Sequence, residues 1–276
     1  MPKFFSDLSA RSLTYSFVTL TLAGFFGGSA FGQNLSGYHE YPQFRTMSGL
    51  PGSSFPVNAK GEIDPDGAIA LSTPVAYSLG RSRFVLGAMT VSFGSNFQLI
   101  NRRGDDLVKG NGTAQGLGGF SLGRYGSLTV GGMLLSGILD TTLNLHWAPP
   151  QFPEGGFTYA VGVQDVFGQG GASGVRQPGD GDSSTSLYLV ATKEVARETH
   201  VSLGYGTRRF GRPFGNVSTT VAPGFKVYAE YDAFNFNLGL GYFVPLGESG
   251  DHRSAITLNV GLVRAKYPSL SANLSF

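Results

Sequence analysis

The sequence predicts an all-β protein: a single transmembrane antiparallel β-barrel of about twelve strands with an irregular N-terminal segment. Three observations predict it. Apolar residues recur at every second position in one segment after another, and the positions between them are mostly Gly, Ala, Ser, Asn and Thr. A sheet facing water would carry Lys and Glu there; small and weakly polar residues suit the inside of a narrow barrel. After the N-terminal region, no run is long and apolar enough for a membrane helix, so a closed barrel is the form in which this chain satisfies its backbone in lipid. The composition agrees, with 42 Gly, 22 Phe, 12 Tyr, 14% charged residues and a mean hydropathy of +0.01. Alternating lipid-facing and lumen-facing residues average to such a value.

Residues 1–32 read as a signal peptide. Lys3 and Arg11 make a weakly basic start, Tyr15 to Phe26 is apolar, and the small residues around Gly28-Ser29-Ala30 and Ala30-Phe31-Gly32 are candidate cleavage sites. The apolar stretch is shorter than the roughly 20 residues a spanning helix needs. Residues 33–66 carry Pro42, Pro51, Pro56 and Pro65 with little alternation, which predicts an irregular segment at or in the barrel mouth. Residues 67–276 are assigned to the barrel.

The strands follow in order. Ile69, Leu71, Thr73, Val75, Tyr77 and Leu79 predict the first, and Val85, Met89, Val91 and Phe93 continue the apolar face after Gly80-Arg81-Ser82. Phe120 and Leu122 precede the Arg124-Tyr125-Gly126 turn; Leu128, Val130, Leu134 and Ile138 follow it. Leu143, Leu145 and Trp147 oppose Asn144 and His146, and Tyr159, Val161 and Val163 oppose Ala160 and Gln164. A further strand runs from Leu187 to Lys193, then Val201, Leu203 and Tyr205 oppose His200 and Ser202. Phe225, Val227 and Tyr231 oppose Lys226, Tyr228 and Glu230. Phe234 to Tyr242 and Ile256 to Leu262 precede a last strand, Leu270, Ala272, Leu274 and Phe276, which ends on an aromatic and is assigned to barrel closure. Tyr77, Phe93, Phe157, Tyr205, Tyr231, Phe234 and Tyr242 fit interfacial girdles.

One conflict stands in this count. The long connections, about 95–111, 169–184 and 208–223, each follow an even-numbered strand. With both barrel ends in the periplasm, that puts them on the side where barrels of this kind carry short turns. The orientation is open at this level.

Few residues offer chemistry. The chain has no cysteine, which removes disulfides and thiolate metal sites, and a net charge of +2 gives no footprint for nucleic acid. His200 and Ser202 sit two apart, the spacing of a hydrolase pair on one strand, but the alternation turns them, like His146, into the lumen. Lys226 and Glu230 lie four apart on the inward face with Asp232 next, a lumen charge network. Arg208, Arg209 and Arg212 form a loop cluster suited to lipopolysaccharide phosphates or an acidic glycan. Asp180-Gly181-Asp182 lacks the further ligands of a calcium loop. No catalytic residue, metal or cofactor is assigned.

Several stretches resemble the YjbH family of outer-membrane proteins. They are Gly49-Leu-Pro-Gly52 with Pro56, Ala59 and Asp66-Gly67; Tyr159 to Gly168 around Gln164-Asp165; Leu187 to Lys193; Leu203 to Gly206; Phe214-Gly215; and Pro223 to Asp232. The resemblance implies a non-enzymatic part in exopolysaccharide or capsule assembly or export. The alternative is a small porin-like solute channel, and an outer-membrane lipid hydrolase comes third. The expected partners are outer-membrane lipids and lipopolysaccharide, the barrel assembly machinery, and surface polysaccharide or export proteins.

Overall fold

The computed structural model describes residues 47–91, 98–100, 107–109, 112–135, 140–150, 156–168, 185–233, 235–249, 252–263, 265 and 267–276. The expected signal peptide, residues 33–46, Phe93, Phe234, Asp180 and Asp182 lie outside them.

In chain order the strands are β1 (Phe84–Val91), β2 (Gln98–Ile100), β3 (Leu107–Lys109), β4 (Gly112–Ser121), β5 (Ser127–Leu135), β6 (Asp140–Ala148), β7 (Thr158–Gln164) and β8 (Ser186–Ala196). Then come β9 (Thr199–Gly206), β10 (Phe214–Ala222), β11 (Phe225–Tyr231), β12 (Phe236–Ser249), β13 (His252–Val263) and β14 (Tyr267–Ser275). Among the described residues, β1 and β4 through β14 close a twelve-stranded barrel, while β2 and β3 pair in a two-stranded sheet of their own. Every neighbouring pair in the barrel is antiparallel, and β14 closes it against β1, with Val85 opposite Ser275 and Val91 opposite Ser269. Phe84 and Phe276 exchange backbone hydrogen bonds at that seam, and their rings stack 5.8 Å apart.

The outward face is apolar from strand to strand. Leu86, Leu187, Leu189, Leu203, Val260 and Leu270 are each more than half exposed, a band no water-soluble sandwich would maintain. Phe157 and Tyr205 stand exposed towards the strand ends, as expected of a girdle, while Tyr242 is exposed in the middle of β12. A closed antiparallel barrel wrapped in such a band is a transmembrane barrel of the bacterial outer membrane. Trp147, the single tryptophan, is 38% exposed and donates its indole N–H to the Tyr125 carbonyl at 2.8 Å, close to the turn joining β4 to β5. In bilayers its fluorescence is expected to be quenched more strongly by a lipid-borne quencher near the headgroups than by one at the bilayer centre. The opposite order would place β6 at another depth.

Two strand assignments change. Residues 69–79 alternate like a strand but belong to no sheet: they lie inside the barrel, buried on both faces. The wall therefore begins at Phe84, not near residue 67. Conversely, 214–222 is β10, within what reads as the connection 208–223. Its outward positions by parity are Gly215, Val217, Thr219 and Val221, where a glycine and a hydroxyl interrupt the two valines and leave too weak an apolar stripe to register. β1 is also inverted. Val85, Met89 and Val91 point inward, against the segment that fills the lumen, and Phe84 and Leu86 face out.

These corrections remove the orientation conflict. The connections 92–111, 165–185 and 207–213 now follow the first, fifth and seventh wall strands, whose ends at Val91, Gln164 and Gly206 share one rim. The turns 197–198 and 223–224 and the end of β12 at Ser249 lie at the other, together with Phe84 and Phe276. The longest connections at the outer rim are the ordinary arrangement, although the inner rim carries a connection of nine residues, 149–157 between β6 and β7.

Candidate functional site

Residues 47–79 form a plug in the lumen. The segment has little regular structure, so its backbone polar groups need partners inside the tube. Some bond within the segment: Ser54 N–H to Ala70 O, Val57 and Ala68 reciprocally, Val75 N–H to Pro51 O. Others reach side chains of the wall. Leu79 and Ala76 donate their N–H groups to the Thr129 and Thr192 hydroxyls, each at 2.8 Å. The Gln115 amide accepts from Gly49 N–H at 3.0 Å and donates to Ser53 O at 2.8 Å. Asn144 donates to Ser48 O, and Asn259 and Asn273 both donate to Ser54 O at 2.7 Å. Gly131 lets the plug come this close, since a Cβ there would collide with the Gly49 carbonyl.

Apolar packing completes the fit. Phe55, Val57, Ile63, Val75, Tyr77 and Leu79 pack with wall residues Val85, Leu117, Phe243 and Ala255. A second cluster joins Met47, Ile69 and Leu71 to Met89, Val91, Tyr228 and Val263. Burial pushes the Tyr77 hydroxyl up to about 12, with Glu194 adding to the effect. At the inner mouth the Asp66 carboxyl is raised, first by burial and then by Glu198 and Asp64, against the opposing pull of Lys226 and Arg197.

The densest contact is at Glu230. Its carboxylate, 2% exposed, accepts from the backbone N–H groups of Leu71, Ser72 and Thr73 at 3.0–3.1 Å. It also accepts from the Ser72 and Thr73 hydroxyls at 2.8 and 2.9 Å and from the Asn237 amide at 2.7 Å. Pro74 follows, a residue with no N–H to satisfy. The segment 71–73 thus folds around an anion carried by β11, and charge-assisted bonds of this kind are the strong ones.

The expected charge network takes another form. Positions four apart on a strand are about 13 Å apart along it, and Lys226 does not pair with Glu230. Its ammonium donates to the Thr220 hydroxyl at 3.0 Å, near the turn 223–224. Asp232 accepts from Asn235 N–H and from the Asn237 amide, so Asn237 bridges it to Glu230.

His200 and Ser202 face the lumen, as the alternation predicts. The Ser202 hydroxyl bonds Thr192 at 2.9 Å, and His200 stands edge-on to Tyr77 with ring centroids 5.9 Å apart. Both serve the plug contact and neither faces lipid. His146 bonds the Tyr188 hydroxyl through Nδ1 at 2.7 Å, and Tyr188 packs on Phe210, 4.8 Å between centroids.

The arginine cluster does not form. Arg209 is fully buried, stacked 5.0 Å over Phe210, and donates to Gln164, whose amide in turn donates to Ser48 O. Arg212 bonds the Tyr231 hydroxyl. Buried Arg209 is withdrawn from the expected external cluster and ties the β9–β10 connection to the plug through Gln164. Sequence reading missed Gln115, Thr129, Asn259 and Asn273 as plug ligands; their only signal is a long polar side chain at an inward position.

No family model matches the chain, and neither does any curated protein. Solved structures similar in fold are a KdgM porin, 12% identical, covering 70% of this chain and 98% of that chain with a TM-score of 0.43. A KdgM porin in complex with disordered oligogalacturonate is 13% identical at the same coverage and TM-score. An outer membrane channel from Pseudomonas putida F1 is 13% identical, covering 74% of this chain and 96% of that chain, with a TM-score of 0.39.

Proposed function

We propose that the chain is a plugged outer-membrane channel, a porin-like barrel closed by its own residues 47–79 and opened by their displacement. The observation that supports this is how the plug is held. It bonds to wall side chains rather than joining the sheet, so it can leave without breaking the strand pairing that closes the barrel. Beneath it the wall presents hydroxyl and amide side chains, the lining of a path for water and polar solutes. The function is non-enzymatic, with His200 and Ser202 acting as wall contacts. In planar bilayers the native protein is expected to be silent at low voltage, and a variant with a loosened plug to open in discrete steps. Silence in both would overturn the reading.

A second reading, YjbH-like assembly or export of a surface polysaccharide, is favoured by one coincidence. Gly49, Gly52, Gln164 and Glu230, which carry the resemblance, all lie in the plug or at its contacts with the wall. Unchanged surface polysaccharide after deletion of the gene would overturn it.

A further inference from the structure

Resting on the channel reading, we propose that the opened lumen selects uncharged, hydroxyl-rich chains and excludes polyanions. The occupant the wall already recognises is a neutral chain with closely spaced donors and acceptors: the plug backbone. Wall amides supply donors to its carbonyls at Ser48, Ser53 and Ser54, and wall hydroxyls accept from its N–H groups at Ala76 and Leu79. An oligosaccharide of neutral sugars presents the same mixture of donors and acceptors along a flexible strand, and these side chains are freed when the plug departs.

The charges decide against an anion. Glu230 spends most of its charge on the plug, and displacement of residues 71–73 leaves inside the tube a carboxylate whose remaining bond is the one from the Asn237 amide of the wall. Lys226, an inward cation of the wall, sits at the inner mouth near Glu194 and Glu198, which stay when the plug moves. Arg209, in the β9–β10 connection, is buried and engaged with Gln164. Among the described residues no row of cations crosses the lumen, and a polyanion would have to pass a carboxylate in a narrow, poorly screened path.

The test uses the full chain with Ser72→Ala and Thr73→Val, which loosen the plug from its own side and leave Glu230 in place. In liposome swelling, a neutral malto-oligosaccharide is expected to enter at least tenfold faster than an oligogalacturonate of equal length. Adding Glu230→Gln should narrow that ratio. Equal or faster entry of the anion overturns the selectivity while leaving the channel standing; entry of neither overturns the channel reading itself. Folding of each variant is checked by heat-modifiable gel mobility. Thr73→Val alone, which removes one hydroxyl, is the milder variant: in a salt gradient its openings should reverse at a cation-selective potential, and an anion-selective one overturns the proposal.

Discussion

Replacing Glu230 with alanine is expected to free the plug while leaving the barrel closed. The substitution removes the common acceptor of three backbone N–H groups, two hydroxyls and an amide, all buried. Bonds to a charged group are worth about 1.5–3 kcal/mol each, and they do not add in full. Breaking a buried ionic contact on one side costs about 3–5 kcal/mol. Taking about 3 kcal/mol, the plug's occupancy falls roughly 100-fold relative to the displaced state. Amides of residues 71–73 should lose hydrogen-exchange protection while those of β13 and β14 keep theirs, and single-channel steps should appear. Unchanged protection at 71–73 would show that the apolar clusters alone retain the plug. Glu230→Gln should fall between, since its carbonyl oxygen still accepts but its NH2 group faces donors.

Leu203→Arg is expected to destabilise the barrel by about 2–4 kcal/mol, the cost of a cation on the lipid face near mid-bilayer. Leu203 is 60% exposed in the middle of β9, so the same change on a water-facing sheet would be nearly neutral, within about 0.5 kcal/mol. The difference therefore reads the environment rather than the packing. Leu246, 53% exposed on the part of β12 that extends past the β14 seam at the inner rim, supplies the comparison. There arginine should cost about 0–1 kcal/mol, because it reaches the interface. Urea unfolding in lipid vesicles measures both. Equal and small effects would place the barrel outside a membrane.

Most of the wall was legible because strand alternation is local. Leu143, Leu145 and Trp147 against Asn144 and His146, or Val201, Leu203 and Tyr205 against His200 and Ser202, point as the pattern says, each side chain facing lipid or lumen by parity alone. β10 escaped because Gly215 and Thr219 interrupt the apolar stripe of Val217 and Val221; the Thr219 hydroxyl is satisfied by Thr199 on β9. Residues 69–79 misled for the converse reason. Their period of two is real, but both faces are buried, so alternation there marks packing against two lumen walls rather than a boundary between lipid and water.

By itself, then, the sequence determined a lipid-facing antiparallel barrel of about twelve strands and, outside β1 and β10, which wall residues turn inward, because parity along a strand needs no knowledge of distant neighbours. It also marked the N-terminal region as irregular. Only the tertiary structure decided that residues 47–79 fill the tube, that the strand ends leading into the connections after β1, β7 and β9 share one rim, and that Glu230 holds the plug. Leu71 and Glu230 meet across 159 positions of chain. An extended segment reads the same whether its N–H groups are answered by a neighbouring strand or by a carboxylate, and that choice belongs to the folded barrel.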